Sequence, residues 1–218
     1  MRRSLNILEI VVQTGKSRNL TIKDLPESLG SQPKRHDRNG EDHYNVVSAF
    51  IKSMRGSDID ATTYWLARMI DSGEDPRFIA RRIIICAAED VGLADPRALT
   101  IALNAFQSVE VIGMPEGRIV LSMAALYVAT APKSNSAYLA IKNAQKILEE
   151  NEFQEVPHTL CNNKKDEYLY PHDYKNGYVN QKYLKRALKL VKLKPIGYER
   201  KLLEYLERLI NENGRAPR

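Results

Sequence analysis

Two cysteines in 218 residues, Cys86 and Cys161, are too few and too far apart for a disulfide framework or a metal-ligand spacing. Cys86 follows a run of isoleucines on an apolar face, where a thiol packs rather than reacts. No apolar run approaches the roughly 18–20 residues that a bilayer span needs. The basic start, Met-Arg-Arg-Ser-Leu-Asn, leads into Ile7-Leu8-Glu9-Ile10-Val11-Val12, too short and too charged for a signal-peptide core. No membrane role and a cytoplasmic location are therefore expected. The phosphate-cradling pattern G-x-x-x-x-G-K-[ST] is missing, and so are H-E-x-x-H, C-x-x-C and G-x-S-x-G. His158 and Cys161 stand three apart without a third group, short of a metal site or a thiol–histidine pair. Nothing in the residues argues catalysis by this chain.

What the sequence does hold is helical and unevenly charged. A hydrophobic fraction of 43% and a charged fraction of 28% suit a soluble globular protein with one large or two small domains. The net charge of +6 divides into +4 over 1–40, −5 over 41–159 and +7 over 160–218. Basic ends can meet phosphates, an acidic partner or only solvent. Helix starts and stops are clearest over 54–97. Ser57 with Asp60 reads as a capping pair for one helix, which Gly73 ends. Asp75-Pro76 opens a second helix that Gly92 ends, and Asp95-Pro96 opens a third. Glu89 and Asp90 fall in the last turn of the second helix, where the macrodipole opposes them, so they call for cationic partners. A structural hairpin with ion pairs is the plain reading of that stretch.

Before it, Leu5–Val12 is a short apolar element, Thr21 caps a short helix to Leu29 with Asp24, and Ser31–Glu41 is a polar linker. The run 42–54 then spaces Val46, Val47, Ala49, Phe50 and Met54 as a helix, with His36 and His43 as surface or capping residues. After Asp95-Pro96, Leu99–Val111 is a heavily apolar helix, and Ile119–Val128 is nearly all apolar, which predicts burial of that second helix at the centre or in a subunit contact. Gly113–Gly117 turns between them. Ala131–Asn135 punctuates again, with Pro132 suited to a first helical position, and an amphipathic helix runs to about Asn151. Residues 153–180 are irregular, with Asn176-Gly177 as a hairpin signal and at most two short strands. Tyr168, Tyr170, Tyr174 and Tyr178 there can stack bases or cover the core. Residues 181–194 are lysine-rich and weakly helical, Pro195 breaks them, and Tyr198–Asn211 is a last amphipathic helix before a frayed end.

Asp42–Asp58 resembles the segment after the ATPase core in the MgsA/RarA family, the replication-associated recombination protein A family related to the Werner-helicase-interacting ATPase. Ala61–Arg68, Gly73–Pro76, Ile79–Arg82, Ala88–Pro96, Gly113–Gly117, Ala131–Asn135 and Tyr170–Tyr174 continue the match in order. The resemblance implies an all-α chain. It would be a helical bundle like the clamp-loader C-terminal collar, with a short irregular or β-hairpin segment near 165–180. It divides the chain into the end of an AAA+ helical lid (1–35), a connecting segment and helix (36–57), and a C-terminal oligomerisation domain (58–218). Arg2 aligns with the lid arginine that senses ATP phosphates. The nucleotide-binding core, with ATP and magnesium, would precede Met1, so this chain alone is expected to lack turnover. The stretch Cys161–Tyr168 is shorter and more polar than the family pattern.

The function implied is that of the C-terminal assembly region of a DNA-dependent AAA+ ATPase. The parent would act in replication-fork maintenance, recombination and repair, where it meets single-strand-binding protein. Here the region would form homotetramers and position the ATPase cores. Arg55, Arg68, Arg81, Arg82, Glu89 and Asp90 are expected to form an ion-pair network at the junction between lid and assembly domain. The alternative is a DNA-contacting module that uses Lys182, Lys185, Arg186, Lys189 and Lys192.

Overall fold

A computed structural model describes residues 41–162 and 168–213. The elements read over 1–30, the linker to residue 40, Arg2 and the final residues 214–218 lie outside the described residues. The chain divides into two units, residues 1–45 and 46–218. Among the described residues, seven α-helices succeed one another: α1 (Glu41–Arg55), α2 (Ile59–Asp71), α3 (Pro76–Cys86), α4 (Arg97–Ile112), α5 (Gly117–Thr130), α6 (Ser136–Glu149) and α7 (Gly197–Asn213). A π-helical turn, Ala87–Val91, and a 3-10 turn, Gly92–Ala94, continue α3. The fold is all-α, and among the described residues there is no strand.

Local chemistry sets the helix starts. Asp75 caps α3 by accepting the Arg77 N–H at 2.9 Å, and Pro76 takes the first helical position, where it gives up no hydrogen bond. Ahead of α4 the register is one residue later than the sequence reading: Pro96 is the cap and makes no side-chain cap bond, the helix begins at Arg97, and Asp95 accepts the Arg97 N–H at 3.2 Å from outside it. The start of α2 corrects the sequence reading. Asp58, not Ser57, is its cap and accepts the Ala61 N–H at 2.9 Å. Ser57 lies one residue too early, with a left-handed φ of 60° as the chain leaves α1, and the Ser57–Asp60 pair does not form. Pro132 does not open α6, which begins at Ser136; the proline sits in the non-helical link after α5.

The segment between α6 and α7 is irregular, as expected, but it holds no hairpin among its described residues. Asn176 and Gly177 have the positive φ values, 61° and 63°, of a tight reversal. The 3-10 turn Pro171–Asp173 precedes them where an extended run would be needed for pairing. Residues 181–194 are not helical either. The Gln154 amide takes both backbone groups of Arg186, accepting its N–H at 2.7 Å and donating to its C=O at 3.2 Å. That side chain supplies the partners which a helix would otherwise have provided.

The core is built from the inward faces of α1 to α5. Phe50 and Met54 from α1, Leu66 and Met69 from α2, and Ile79, Ile83 and Cys86 from α3 are buried. Small residues dominate the remaining faces: Ala98, Ala102 and Ala105 on α4, and Ala124, Ala125 and Ala129 on α5. With these alanines beside Val109, Leu121 and Val128, α4 and α5 form the most extensive helix–helix contact among the described residues.

The later elements, α6 and α7, pack on the turn Gly92–Ala94. Two glycines permit this. Gly92 has φ 50°, and a Cβ there would lie 2.6 Å from the Ser134 carbonyl oxygen. Gly197, at the start of α7, has φ 52°, and its Cβ would lie 2.2 Å from the Ala94 carbonyl oxygen. Backbone meets backbone at both places, so no side chain can swing away to make room. Replacing Gly197 by alanine is expected to lower stability by more than 2 kcal/mol, on the order of twice the cost of Gly73→Ala. Gly73 shares the positive φ but has nothing within 4 Å of an added Cβ. Urea denaturation of the two variants checks the difference.

Candidate functional site

A π-helical turn, Ala87–Val91, holds the two acidic residues Glu89 and Asp90. One widened turn after Cys86 carries Glu89 and Asp90 toward the end of α1. The Asp90 side chain is only 10% exposed and uses both oxygens. Its Oδ1 accepts Arg55 Nε–H at 2.6 Å, and its Oδ2 accepts the Cys86 thiol at 3.3 Å. Arg55 also reaches Glu89 with Nη2, at 3.4 Å. The hydrogen bond to Asp90 raises the Arg55 pKa above its ordinary value against a smaller opposing effect of burial. Burial, then the Asp90 charge, pushes the Cys86 thiol far up, so this cysteine stays protonated and unreactive.

A second cation joins the cluster. Lys133 Nζ donates to the carbonyl oxygens of Ala129 at 2.8 Å and Ala131 at 2.6 Å, closing the C-terminal end of α5, and to Ser57 Oγ at 3.1 Å. A cation suits this negative helix end. Burial lowers the Lys133 pKa, with the Asp90 charge opposing it. The link Arg55–Ser57 is therefore stitched twice, by Arg55 to the π-helical turn and by Ser57 to the end of α5.

Nearby, Asp95 makes a separate arrangement. The side chain is 9% exposed. Its Oδ1 accepts Arg97 Nε–H at 2.8 Å, and its Oδ2 accepts Arg97 Nη2–H at 2.9 Å and the Tyr127 hydroxyl at 2.8 Å. These donors hold the Asp95 carboxyl below its ordinary range, Arg97 foremost, with burial opposing.

Of the residues proposed for a junction network, Arg55, Glu89 and Asp90 come together. Arg81 and Arg82 lie instead over the Phe78 ring, at 6.0 and 4.9 Å, and Arg68 stands 5.5 Å over Trp65. Sequence reasoning missed Cys86, Lys133, Asp95 and Tyr127. The only available signals were the placement of Cys86 four residues before Asp90 and the acid–proline–arginine order at 95–97. In the C-terminal segment, Lys185 pairs with Glu155 and Arg186 with Glu152. Lys182, Lys189 and Lys192 remain exposed. Tyr170 and Tyr174 are 53% and 41% exposed and do not cover the core. Among the described residues no group of His, Cys, Asp and Glu is placed to hold a metal ion. With no P-loop either, the described residues do not fit ATP and magnesium.

These features define an all-α module tied by buried charge to the helix that enters it. Residues 56–210 match the family model described as MgsA AAA+ ATPase C terminal, and residues 1–55 match one described as AAA C-terminal domain. The chain belongs to the MgsA AAA+ ATPase C-terminal family. It is 46% identical to an uncharacterized protein of Thermotoga maritima over 95% of this chain and 35% of that one. It is 40% identical to replication-associated recombination protein A of Bacillus subtilis, over 87% of this chain and 48% of the relative. The Escherichia coli K12 protein of the same name is 39% identical, over 81% and 43%. The chain thus spans less than half the length of these relatives. The border between the two family models falls directly after Arg55, so the Arg55–Asp90 pair crosses it.

The Asp95 cluster gives a pH signature. A carboxyl whose pKa is lower in the folded chain than in the unfolded one stabilises the fold above the unfolded value, and that contribution disappears as pH falls through the folded value. Wild type is expected to lose stability more steeply than Asp95→Asn as pH drops below about 4. The variant also starts about 1–3 kcal/mol less stable at neutral pH. Denaturant titrations at a series of pH values check both.

Proposed function

We propose that this chain is the assembly region of a DNA-dependent AAA+ ATPase. The parent acts in replication-fork maintenance, recombination and repair, and this region forms homotetramers that position the ATPase cores. The relatives named replication-associated recombination protein A support the process. One observation carries the assembly reading: α4 and α5 remain rich in exposed apolar side chains after building the core. Val111 is 86% exposed, Ile119 66% and Met123 59%, with Ile112, Leu99 and Leu103 also exposed. Apolar surface of this extent favours burial against another protein surface.

On this reading ATP and magnesium belong to the parent protein, outside the described residues, and the chain alone turns over no ATP. The parent works in the cytoplasm, away from membranes, and meets single-strand-binding protein at forks. The Arg55–Glu89–Asp90 contact holds the incoming helix at a fixed angle to the assembly domain. A contact with DNA through Lys182, Lys189 and Lys192 is compatible with this role, because those lysines are exposed whereas Lys185 and Arg186 are drawn to Glu155 and Glu152.

Analytical ultracentrifugation tests the assembly reading. The 218-residue chain is expected to sediment as a tetramer at micromolar concentration. Val111→Glu combined with Ile119→Glu, both exposed, is expected to yield folded monomer. A wild-type chain that is monomeric at that concentration overturns the reading.

A further inference from the structure

A groove of 640 Å³ opens between the starts of α4 and α7, lined by Pro96, Arg97, Pro132, Gly197, Tyr198 and Lys201 with Asp95 at its base. Its lining is mainly apolar and carries two cations, Arg97 and Lys201, on rigid walls. Lys201 and Tyr198 come from the first turns of α7, and Tyr198 is 48% exposed. Proline and the Gly197 contact with Ala94 fix the backbone on both sides.

Arg97 is the telling residue. Its side chain is 79% exposed. Yet a buried carboxylate spends both oxygens on it, and the Tyr127 hydroxyl steadies that carboxylate from α5. What the arrangement fixes is direction. The guanidinium is gripped along one edge, through Nε and Nη2, and its remaining N–H donors are left for something else. A planar guanidinium held in this way suits bidentate recognition of phosphate oxygens, with Lys201 as a second, mobile charge. The exposed ring of Tyr198 offers a face on which a base can stack.

We propose that this groove binds the phosphodiester backbone of single-stranded nucleic acid, with Arg97 and Lys201 on phosphate, Tyr198 under a base, and Asp95 as the positioning residue for Arg97. The inference gives a place to the nucleic-acid part of the reading above and rests on it. It is independent of the assembly state, which sedimentation reads separately.

The test is fluorescence anisotropy of the whole 218-residue chain with labelled oligothymidylate of roughly 20 nucleotides, over a range of salt. Wild type is expected to bind with a steep salt dependence. Lys201→Glu, exposed and without a role in packing, is expected to weaken binding about tenfold and flatten the log–log salt slope by about one. Arg97→Gln is expected to act similarly, and Tyr198→Ala to weaken binding without changing the slope. Asp95→Asn separates positioning from folding. It should weaken binding several-fold at a temperature where circular dichroism shows the chain fully folded, and a purely structural role would leave binding intact there. Binding that persists in Lys201→Glu and is lost only in Lys189→Glu with Lys192→Glu overturns the groove while leaving the nucleic-acid reading in place. No binding by wild type overturns both. Equal competition by polyglutamate shows a general acidic-polymer site and overturns the phosphate assignment.

Discussion

The structure depends on how one buried carboxylate is satisfied. Asp90 sits near the C-terminal end of the α3 segment, where the helix dipole already disfavours negative charge. Removing such a group from water is costly unless each oxygen finds a donor. Arg55 and the Cys86 thiol meet that need, and Arg55 can do so only if α1 ends against the π-helical turn. The direction of the incoming helix is thereby coupled to the geometry of the turn. Lys133 reinforces the coupling, because it ties Ser57 to the end of α5 within the same electrostatic neighbourhood.

Beyond Asp90 the chain narrows to Gly92–Ala94, and the rest of the domain is assembled on that turn. Its carbonyl and glycine backbone accept the link before α6 at Ser134 and the start of α7 at Gly197, at distances that only glycine allows. Asp95 follows at once and organises Arg97 and Tyr127. Within about ten residues the chain therefore sets the entry of α1, the seats of α6 and α7, and the orientation of an exposed arginine. A sequence segment with this many constraints has little freedom to drift without loss of fold.

Much of the helical layout was legible beforehand, because it was written in local chemistry. Asp75-Pro76 and Gly73 mark helix ends through caps and backbone preferences that need no tertiary context, and Asp95-Pro96 marks the start of α4 to within a residue. The same reasoning placed Cys86 in the core and gave Glu89-Asp90 a cationic partner. It failed where the outcome depends on residues distant in sequence. Weak helix propensity over 181–194 yielded to Gln154, about thirty residues away, which took up the Arg186 backbone. Asn176-Gly177 turned as its chemistry requires, but a hairpin also needs flanking strands, and the 3-10 turn at Pro171 removed one of them. Arg81 and Arg82 carry the right charge for the network but project from α3 onto Phe78. Charge alone did not reveal that Arg55, from the end of α1, is the arginine that reaches the acids.

The central claim is that Arg55 and Asp90 act as one unit across the border between the two family-defined segments. A double-mutant cycle measures this most directly. Urea denaturation of wild type, Arg55→Ala, Asp90→Asn and the double variant gives the coupling between the two side chains. The account predicts a coupling of about 1–3 kcal/mol. Single-variant effects that add to within about 0.5 kcal/mol would show that the two side chains are independent, and would contradict it.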